Sequence, residues 1–178
     1  MKKISVGKMS SAAITLFFIL AIVLTGALTF GAVIGYRAYH ENNFSYSFGP
    51  QGDFTGQKPD AARKKFLKDK LSEAGKFPEG ISVLPIKTYT DGEENIIVEC
   101  FIRNNTGRNI LNLKGNISIK KGNDVVADGY FELPVGVFGR LEDHKARPWK
   151  IQFLKDHVYD AEADLTQYTI LVNMNYEY

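Results

Sequence analysis

The longest hydrophobic run of the chain lies near its start. Residues 9–36 carry no charged side chain, and Lys2, Lys3 and Lys8 precede them. As a helix, residues 12–35 reach about 36 Å at about 1.5 Å per residue, which exceeds a bilayer core of roughly 30 Å. This pattern predicts a cytoplasmic basic N-terminus at 1–9 and a transmembrane signal anchor at 10–36. The positive-inside rule then places the C-terminal residues outside the cell membrane.

A cleaved signal peptide is the alternative interpretation of this run. Thr25, Gly26 and Ala27 form an acceptable small-residue cleavage site. The apolar run continues to Ile34, past the 7–15 residues typical of a signal peptide, which favours a retained anchor.

From residue 80 to the end, apolar and polar positions alternate with a period of two. Such alternation is typical of antiparallel strands with one buried and one wetter face. Turn signals separate the segments at 91–92, 104–107 and 121–124. We expect six or seven strands in an all-β, immunoglobulin-like β-sandwich over 80–178. The predicted inward positions include Ile96, Val98, Cys100, Ile102, Leu113, Ile117, Ile119, Val125, Ala127, Phe131, Trp149, Ile151 and Phe153.

Two short segments join the anchor to the strands. Residues 37–59 are rich in Asn, Ser, Gly and Pro and predict a linker. Tyr36, Tyr39 and Phe44 suit an aromatic belt at the membrane interface, whereas the later aromatic residues of the linker suit packing on the domain. Residues 60–76 predict a basic amphipathic helix capped by Asp60. Residues 58–76 hold seven basic and three acidic side chains, and the candidate contacts with an anionic lipid or wall polymer are Arg63, Lys64, Lys65 and Lys68. A solvated helix docked by one face on the domain is the alternative.

Composition excludes several classes of function. The 178 residues have a net charge of +2, too small to indicate nucleic-acid binding. The single cysteine, Cys100, allows no internal disulfide and falls on an apolar strand face, which predicts a core residue rather than a nucleophile. No catalytic motif is visible, so we expect a protein that is not an enzyme and has no cofactor or metal. A metal site would require His144 and His157 to converge with neighbouring carboxylates.

Two features suggest binding surfaces. The loop at 133–140 places Val135, Val137, Phe138 and Arg140 among glycines, which suits either a partner-binding surface or a cover for the open end of the sandwich. In the anchor, Ala27, Gly31 and Gly35 repeat every four residues on one helix face, which predicts helix packing and self-association.

Three groups of residues resemble the SLAP domain of Gram-positive bacteria. They are Phe101-Ile102-Arg103-Asn104, then Val125-Val126-Ala127-x-Gly129-x-Phe131-x-Leu133, and Arg147-Pro148-Trp149-x-x-x-Phe153. The resemblance covers about residues 81–173. It implies a non-catalytic extracytoplasmic β domain of the kind associated with S-layer assembly and accessory Sec protein export. The connection between Phe131 and Pro148 is longer than the family pattern suggests, and only one copy is present.

We therefore expect a membrane-anchored adaptor for a protein partner in the envelope or export machinery. The alternative is an accessory single-pass subunit that associates with a larger membrane complex through its transmembrane helix.

Overall fold

The computed structural model describes residues 22, 23, 25–34, 44–52, 56, 58–74 and 78–178. The chain divides into two compact units, Met1–His40 and Glu41–Tyr178. In the first unit, residues 25–34 are helical with exposed side chains. Thr29 Oγ1 donates back to the carbonyls of Thr25, at 2.9 Å, and Gly26, at 3.0 Å, as a helical threonine can.

The predicted anchor at 10–36 lies largely outside the described residues. Among the residues that the structure describes, no helix combines the length and the apolar character needed to cross a membrane.

The described residues of the second unit form seven strands in two sheets. Sheet I has the order β1-β6-β3-β2, and sheet II has the order β5-β4-β7. All pairs are antiparallel except β1 with β6. The strands are β1 (Ser45–Tyr46), β2 (Gly80–Thr90), β3 (Ile96–Asn105), β4 (Asn112–Lys121), β5 (Asp124–Leu133), β6 (Lys145–Phe153) and β7 (Thr169–Glu177). The mostly β, two-sheet expectation is confirmed, whereas the immunoglobulin-like class stays a prediction.

The inner faces of the two sheets share one apolar core. Sheet I contributes Val98, Cys100 and Ile151, and sheet II contributes Leu113 and Ile117, each at most 3% exposed. These residues follow the predicted alternation, because successive side chains of a strand point to opposite faces.

Strand β3 departs from the expectation of one wetter face. Phe101 lies on its outer face and is completely buried, in a second apolar cluster with Leu67, Leu71 and Ala146. Leu67 and Leu71 belong to helix α1 (Ala61–Ser72), which therefore covers the outer face of sheet I. The domain has three layers here. Because β3 is covered on both faces, apolar residues occupy both of its faces.

Helix α1 begins as predicted and ends earlier. Asp60 caps it by accepting a 2.7 Å hydrogen bond from the backbone N–H of Arg63. Glu73 is its C-terminal cap, so the helix ends before residue 76.

The segment at 44–52 differs from a plain linker. Its residues Ser45–Tyr46 form β1, which pairs in parallel with Lys145 and Ala146 of β6. Tyr46 and Phe48 pack against the second apolar cluster, as expected for the later aromatic residues, and Phe44, which suited the interfacial belt, packs there as well. Main-chain pairing and aromatic burial together make this segment part of the domain.

Strand β5 carries a bulge that reverses one inward prediction. Ile119 pairs with Ala127 and Lys120 pairs with Val125, which leaves Val126 as the extra residue. Val126 is 2% exposed, whereas Val125 is 36% exposed. The inward prediction for Val125 was wrong, because the extra residue turns its side chain outward.

Candidate partner-binding surface

A short helix and its flanking loop lie between β5 and β6. Helix α2 (Val135–Phe138) follows Pro134, whose carbonyl accepts the N–H groups of Val137 and Phe138 at 2.9 and 2.8 Å. The N–H of Val135 donates to Asn112 Oδ1 at 2.8 Å, which ties the start of α2 to β4 of sheet II. These three hydrogen bonds fix α2 to Pro134 and to strand β4.

Phe138 is buried rather than available to a partner. Its side chain is completely inaccessible to solvent and meets the Trp149 ring edge to face, with centroids 5.1 Å apart at 76°. The prediction that Phe138 contacts a partner was wrong, because the helical turn directs this side chain into the core. Phe138 instead closes the core at this end of the domain, as the covering alternative for the loop proposed.

Arg147 of β6 holds the loop from below. This side chain is 3% exposed, and its guanidinium donates to the carbonyls of Phe138, Gly139 and Arg140, at 2.9 Å for Gly139 and 2.8 Å for Arg140. Its carbon Cζ also lies 4.9 Å from the centre of the Phe138 ring. Burial lowers the Arg147 pKa to about 10, and nearby Glu142 opposes that shift. Arg147 remains a cation at neutral pH and donates hydrogen bonds to the carbonyls at the end of α2.

The 44–52 segment completes this contact from the other side. Arg147 Nη2 donates to Ser47 Oγ at 3.0 Å, and Ser47 donates its N–H to the Ala146 carbonyl at 2.9 Å. A side chain at Gly49 would place its Cβ 2.4 Å from the Phe138 carbonyl oxygen. Only glycine allows this approach, so the segment and the loop are closely packed.

The exposed side chains of α2 and of the residue that follows Gly139 are what remains for binding. Val135 is 43% exposed and Val137 is 39% exposed, and Arg140 lies beside them with its side chain in solvent. We call Val135, Val137 and Arg140 the α2 ridge. The ridge is small and apolar, with one positive charge. The buried side chains of Phe138 and Arg147 support it.

The candidate anionic-surface residues on α1 are not equivalent. Lys65 forms an ion pair with Asp69 at 3.1 Å, and Arg63 stacks at 5.0 Å over the ring of Phe66. Lys64 and Lys68 are exposed and form no ion pair within the described part of the chain. Among the described candidates, Lys64 and Lys68 are therefore the two with neither an ion pair nor a ring contact.

The small-residue stripe of the predicted anchor is described in part. Ala27 and Gly31 lie in the helical residues 25–34, and Gly35 lies outside the described residues. A Cβ added at Gly31 would meet no atom within 4 Å, so this position has room for a neighbouring helix.

His144, His157 and Cys100 were the residues considered for a metal site or a nucleophile. His144 Nδ1 lies 2.7 Å from Asp143 Oδ2, and its ring lies 5.5 Å from that of Phe44. His157 is exposed in a 3-10 turn at Lys155–His157. Cys100 is fully buried beside the Trp149 carbonyl, and burial raises the pKa of its thiol. In the regions that the structure describes, no three His, Cys, Asp or Glu residues are grouped to hold a metal ion.

The fold and this surface define a β domain of two facing sheets with a helix on one outer face and an apolar ridge at one end. A family model described as the SLAP domain matches residues 57–174. The chain belongs to the SLAP domain family, as the sequence resemblance indicated. No curated protein and no solved structure matches the chain.

The residues that carried the family resemblance are mostly structural. Asn104 is fully buried and donates to the carbonyls of Arg108, at 2.7 Å, and Leu141, at 3.0 Å. A Cβ at Gly129 would press on Phe131, which packs edge to face on Phe153. These residues therefore serve packing within the domain, while the α2 ridge lies between the second and third groups, within the matched residues 57–174.

Sequence reasoning missed the role of Arg147 and of Ser47. An arginine followed by Pro148 and Trp149 in an apolar strand was the available signal, since buried arginines require several acceptors. The partners are mostly main-chain carbonyls, which carry no mark in the sequence.

Proposed function

We propose that this protein is a non-catalytic binding module of the Gram-positive cell envelope, anchored by its N-terminal segment and presenting its SLAP domain outside the membrane. The observation that carries the proposal is the family match over 57–174, together with the long uncharged apolar run at 9–36 that precedes it in the chain. Envelope assembly and protein export are the processes in which such an adaptor would act.

The topology is tested by protease treatment of protoplasts. If the protein is anchored as proposed, we expect external protease to digest the SLAP domain. A fragment that contains the N-terminus should stay with the membrane. A domain that is protected until the protoplasts are lysed would remove the proposal, as would a mature protein that begins after residue 27.

The α2 ridge is the proposed contact with a protein partner. Exposed valines on a fixed support lose little conformational entropy on binding, and apolar contact of this kind contributes about 25 cal/mol per Å² buried. We expect the double change Val135→Ser and Val137→Ser to abolish capture of the partner from solubilised membranes.

The control for the ridge is Leu154→Ser, since Leu154 is 57% exposed and lies directly after β6. Capture should survive this change. Equal loss in both variants, with the Trp149 emission unchanged, would place the partner contact elsewhere.

The second proposed contact joins α1 to an anionic lipid or wall polymer. Each basic group near an anionic surface contributes about 1 kcal/mol, so removing the charges of Lys64 and Lys68 should weaken association about 30-fold. Replacement of both by Gln, tested by sedimentation with vesicles of anionic lipid or with purified anionic wall polymer, measures this effect. Lys121→Gln with Lys150→Gln makes the same charge change elsewhere and should have a smaller effect.

An accessory subunit of a larger membrane complex is the second candidate function. Ala27 and Gly31, four positions apart on one face of the described helix, support it, because helices can approach closely where the side chains are small. Gly31→Ile should then release the complex during purification, while Gly26→Ile, about 140° away around the helix, should not. Equal behaviour of the two variants would argue against association through this face.

A further inference from the structure

The two sheets differ in what lies on their outer faces. Helix α1 covers the outer face of sheet I, whereas outward side chains of sheet II are exposed on all three of its strands. We call the exposed outward residues of sheet II the sheet II face, and they are Lys114, Asn116, Tyr130, Glu132, Leu171, Asn173, Asn175 and Glu177. Most of these side chains are polar, so the face is stable in contact with water.

Three residues form a row across the middle of the sheet II face. Asn116 of the central strand β4 pairs with Tyr130 of β5 on one side and with Asn173 of β7 on the other. Because neighbouring strands lie about 4.8 Å apart, this row spans about 10 Å. Asn175 lies on the same face of β7, two residues after Asn173. The centre of the face therefore holds three side-chain amides beside a phenol ring.

The amides on this face are not used by the fold. Five other asparagines form hydrogen bonds inside the domain through their side chains: Asn95, Asn104, Asn105, Asn109 and Asn112. Within the described part of the chain, the side chains of Asn116, Asn173 and Asn175 form no hydrogen bond. Asparagine is depleted in β-strands, so strand stability does not account for three of them at neighbouring positions. Each of these amides offers two donor hydrogens and an acceptor oxygen to a ligand.

Two exposed tyrosine rings lie at the β5 side of the sheet II face. Tyr130 is 59% exposed and Tyr159 is 63% exposed. The Tyr159 hydroxyl donates to Asp128 Oδ1 at 2.8 Å, and Asp128 lies two residues before Tyr130 on the same face of β5. This hydrogen bond fixes the Tyr159 hydroxyl beside the face. A tyrosine ring offers a broad apolar surface with one polar tip, and few torsions have to be fixed when it binds.

The charges of the sheet II face favour an uncharged ligand. Lys114 pairs across the strands with Glu132, and its Nζ lies 4.0 Å from Glu177 Oε1, so carboxylates flank this positive charge. The row of Tyr130, Asn116 and Asn173 carries no charge. Side-chain amides together with exposed aromatic rings match a ligand that combines many hydroxyl groups with apolar C–H surfaces. Sugars have this combination.

We propose that the sheet II face binds an uncharged glycan chain. Sugar rings pack on the Tyr130 ring, and Tyr159 extends this stacking surface. The amides of Asn116, Asn173 and Asn175 exchange hydrogen bonds with the sugar hydroxyls. The glycan strands of the wall peptidoglycan are the source of this ligand, a step that rests on the proposed position of the domain outside the membrane. The contact uses neither the α2 ridge nor the lysines of α1.

Sedimentation of the purified full-length protein with peptidoglycan sacculi tests the proposal. Treatment with hydrofluoric acid strips the anionic polymers from the sacculi and leaves the glycan strands. We expect the protein to sediment with the stripped sacculi, and oligomers of N-acetylglucosamine, the uncharged sugar of these strands, to compete. Salt at about 1 M shortens the screening length to about 3 Å, so binding that persists there does not depend on the charges of Lys64 and Lys68.

Substitutions on the face provide the second arm. We expect Tyr130→Ala to weaken binding about tenfold, as the loss of a central contact residue does at other interfaces. The double change Asn116→Ala and Asn173→Ala should have an effect of similar size. Tyr178→Ala is the matched control, since Tyr178 is 55% exposed and lies after the end of β7, outside the row. Trp149 emission checks that each variant is folded.

The outcomes separate the alternatives. Weaker binding of Tyr130→Ala and of the asparagine double variant, with Tyr178→Ala unchanged, supports the proposal. Equal binding of Tyr130→Ala and the unchanged chain would overturn it. Folded protein that does not sediment with stripped sacculi would overturn it as well, as would sedimentation that the sugar oligomers leave unchanged. The assay uses purified components, so its failure would leave the protease test of topology unaffected.

Discussion

Arg147 offers the sharpest test of how the α2 ridge is supported. Replacement by methionine keeps a long side chain in the same space and removes every hydrogen-bond donor. The carbonyls of Phe138 and Gly139, both buried residues, then lose the guanidinium, whereas the exposed Arg140 can be served by water.

The expected loss of stability follows from these two carbonyls. A buried acceptor left without a partner costs about 1–3 kcal/mol, so two of them cost about 2–6 kcal/mol. Removing a buried guanidinium from low-polarity surroundings offsets part of this cost. We expect a net loss of about 3 kcal/mol in the free energy of unfolding, which lowers the melting temperature by about 10 °C in a domain of this size.

Trp149 makes the change measurable. It is the single tryptophan, and its ring packs against Phe138 beneath the ridge. Tryptophan emission of the purified full chain, followed during urea unfolding, should show a lower midpoint and a red shift in the Arg147→Met protein before unfolding. Arg140→Met is the matched control, because the Arg140 side chain is in solvent and its loss should change stability by less than about 0.5 kcal/mol.

One result would refute this reasoning. If Arg147→Met unfolds within about 0.5 kcal/mol of the unchanged chain and keeps the Trp149 emission, the carbonyl contacts contribute little and the ridge is supported by apolar packing alone.

Three further predictions concern other parts of the domain. Gly115→Ala should destabilise the domain by about 1–3 kcal/mol, since the new Cβ would lie 2.2 Å from the Asn173 carbonyl oxygen. Gly92→Ala should be nearly neutral, because there is open space beside Gly92. Equal unfolding midpoints of the two variants in urea would contradict this prediction. Asp91 accepts hydrogen bonds from the Asn95 side chain and from nearby N–H groups, and these bonds lower its pKa. The stabilisation from Asp91 is therefore present above about pH 4 and is lost as the pH falls further. Asp91→Asn should make the free energy of unfolding less dependent on pH in that range, and an unchanged dependence would contradict this prediction. Iodoacetamide should label Cys100 only after unfolding, because the thiol is buried and its pKa is raised; rapid labelling of the native protein would contradict its burial.

The sequence predicted the strands better than it predicted the surface. Alternation of period two identified the inward positions of β3 and β4, because an apolar side chain on one strand face must be covered. The same alternation failed at Val125, where a bulge adds one residue, and at Phe101, where a helix covers the second face. Neither the bulge nor the helix position is encoded in local periodicity.

The candidate site shows the same division. Val135, Val137 and Arg140 were identified from an apolar loop among glycines, and their side chains are exposed in the structure. Phe138 belonged to the same pattern, yet it is buried. The sequence of a loop shows which side chains are apolar but not which way they point. Here the orientation of Phe138 follows from one helical turn and from the Trp149 ring on which it packs.

The amino-acid sequence by itself determined the two-sheet β class, the family, the cap of α1 and the burial of Cys100, since each depends on residues that are neighbours in the chain or repeat at short spacing. Only the tertiary structure decided that residues 44–52 pack on the domain and that Arg147 donates hydrogen bonds to the carbonyls at the end of α2. These features join residues separated by up to 100 positions, and most of their bonds use main-chain atoms that every residue possesses.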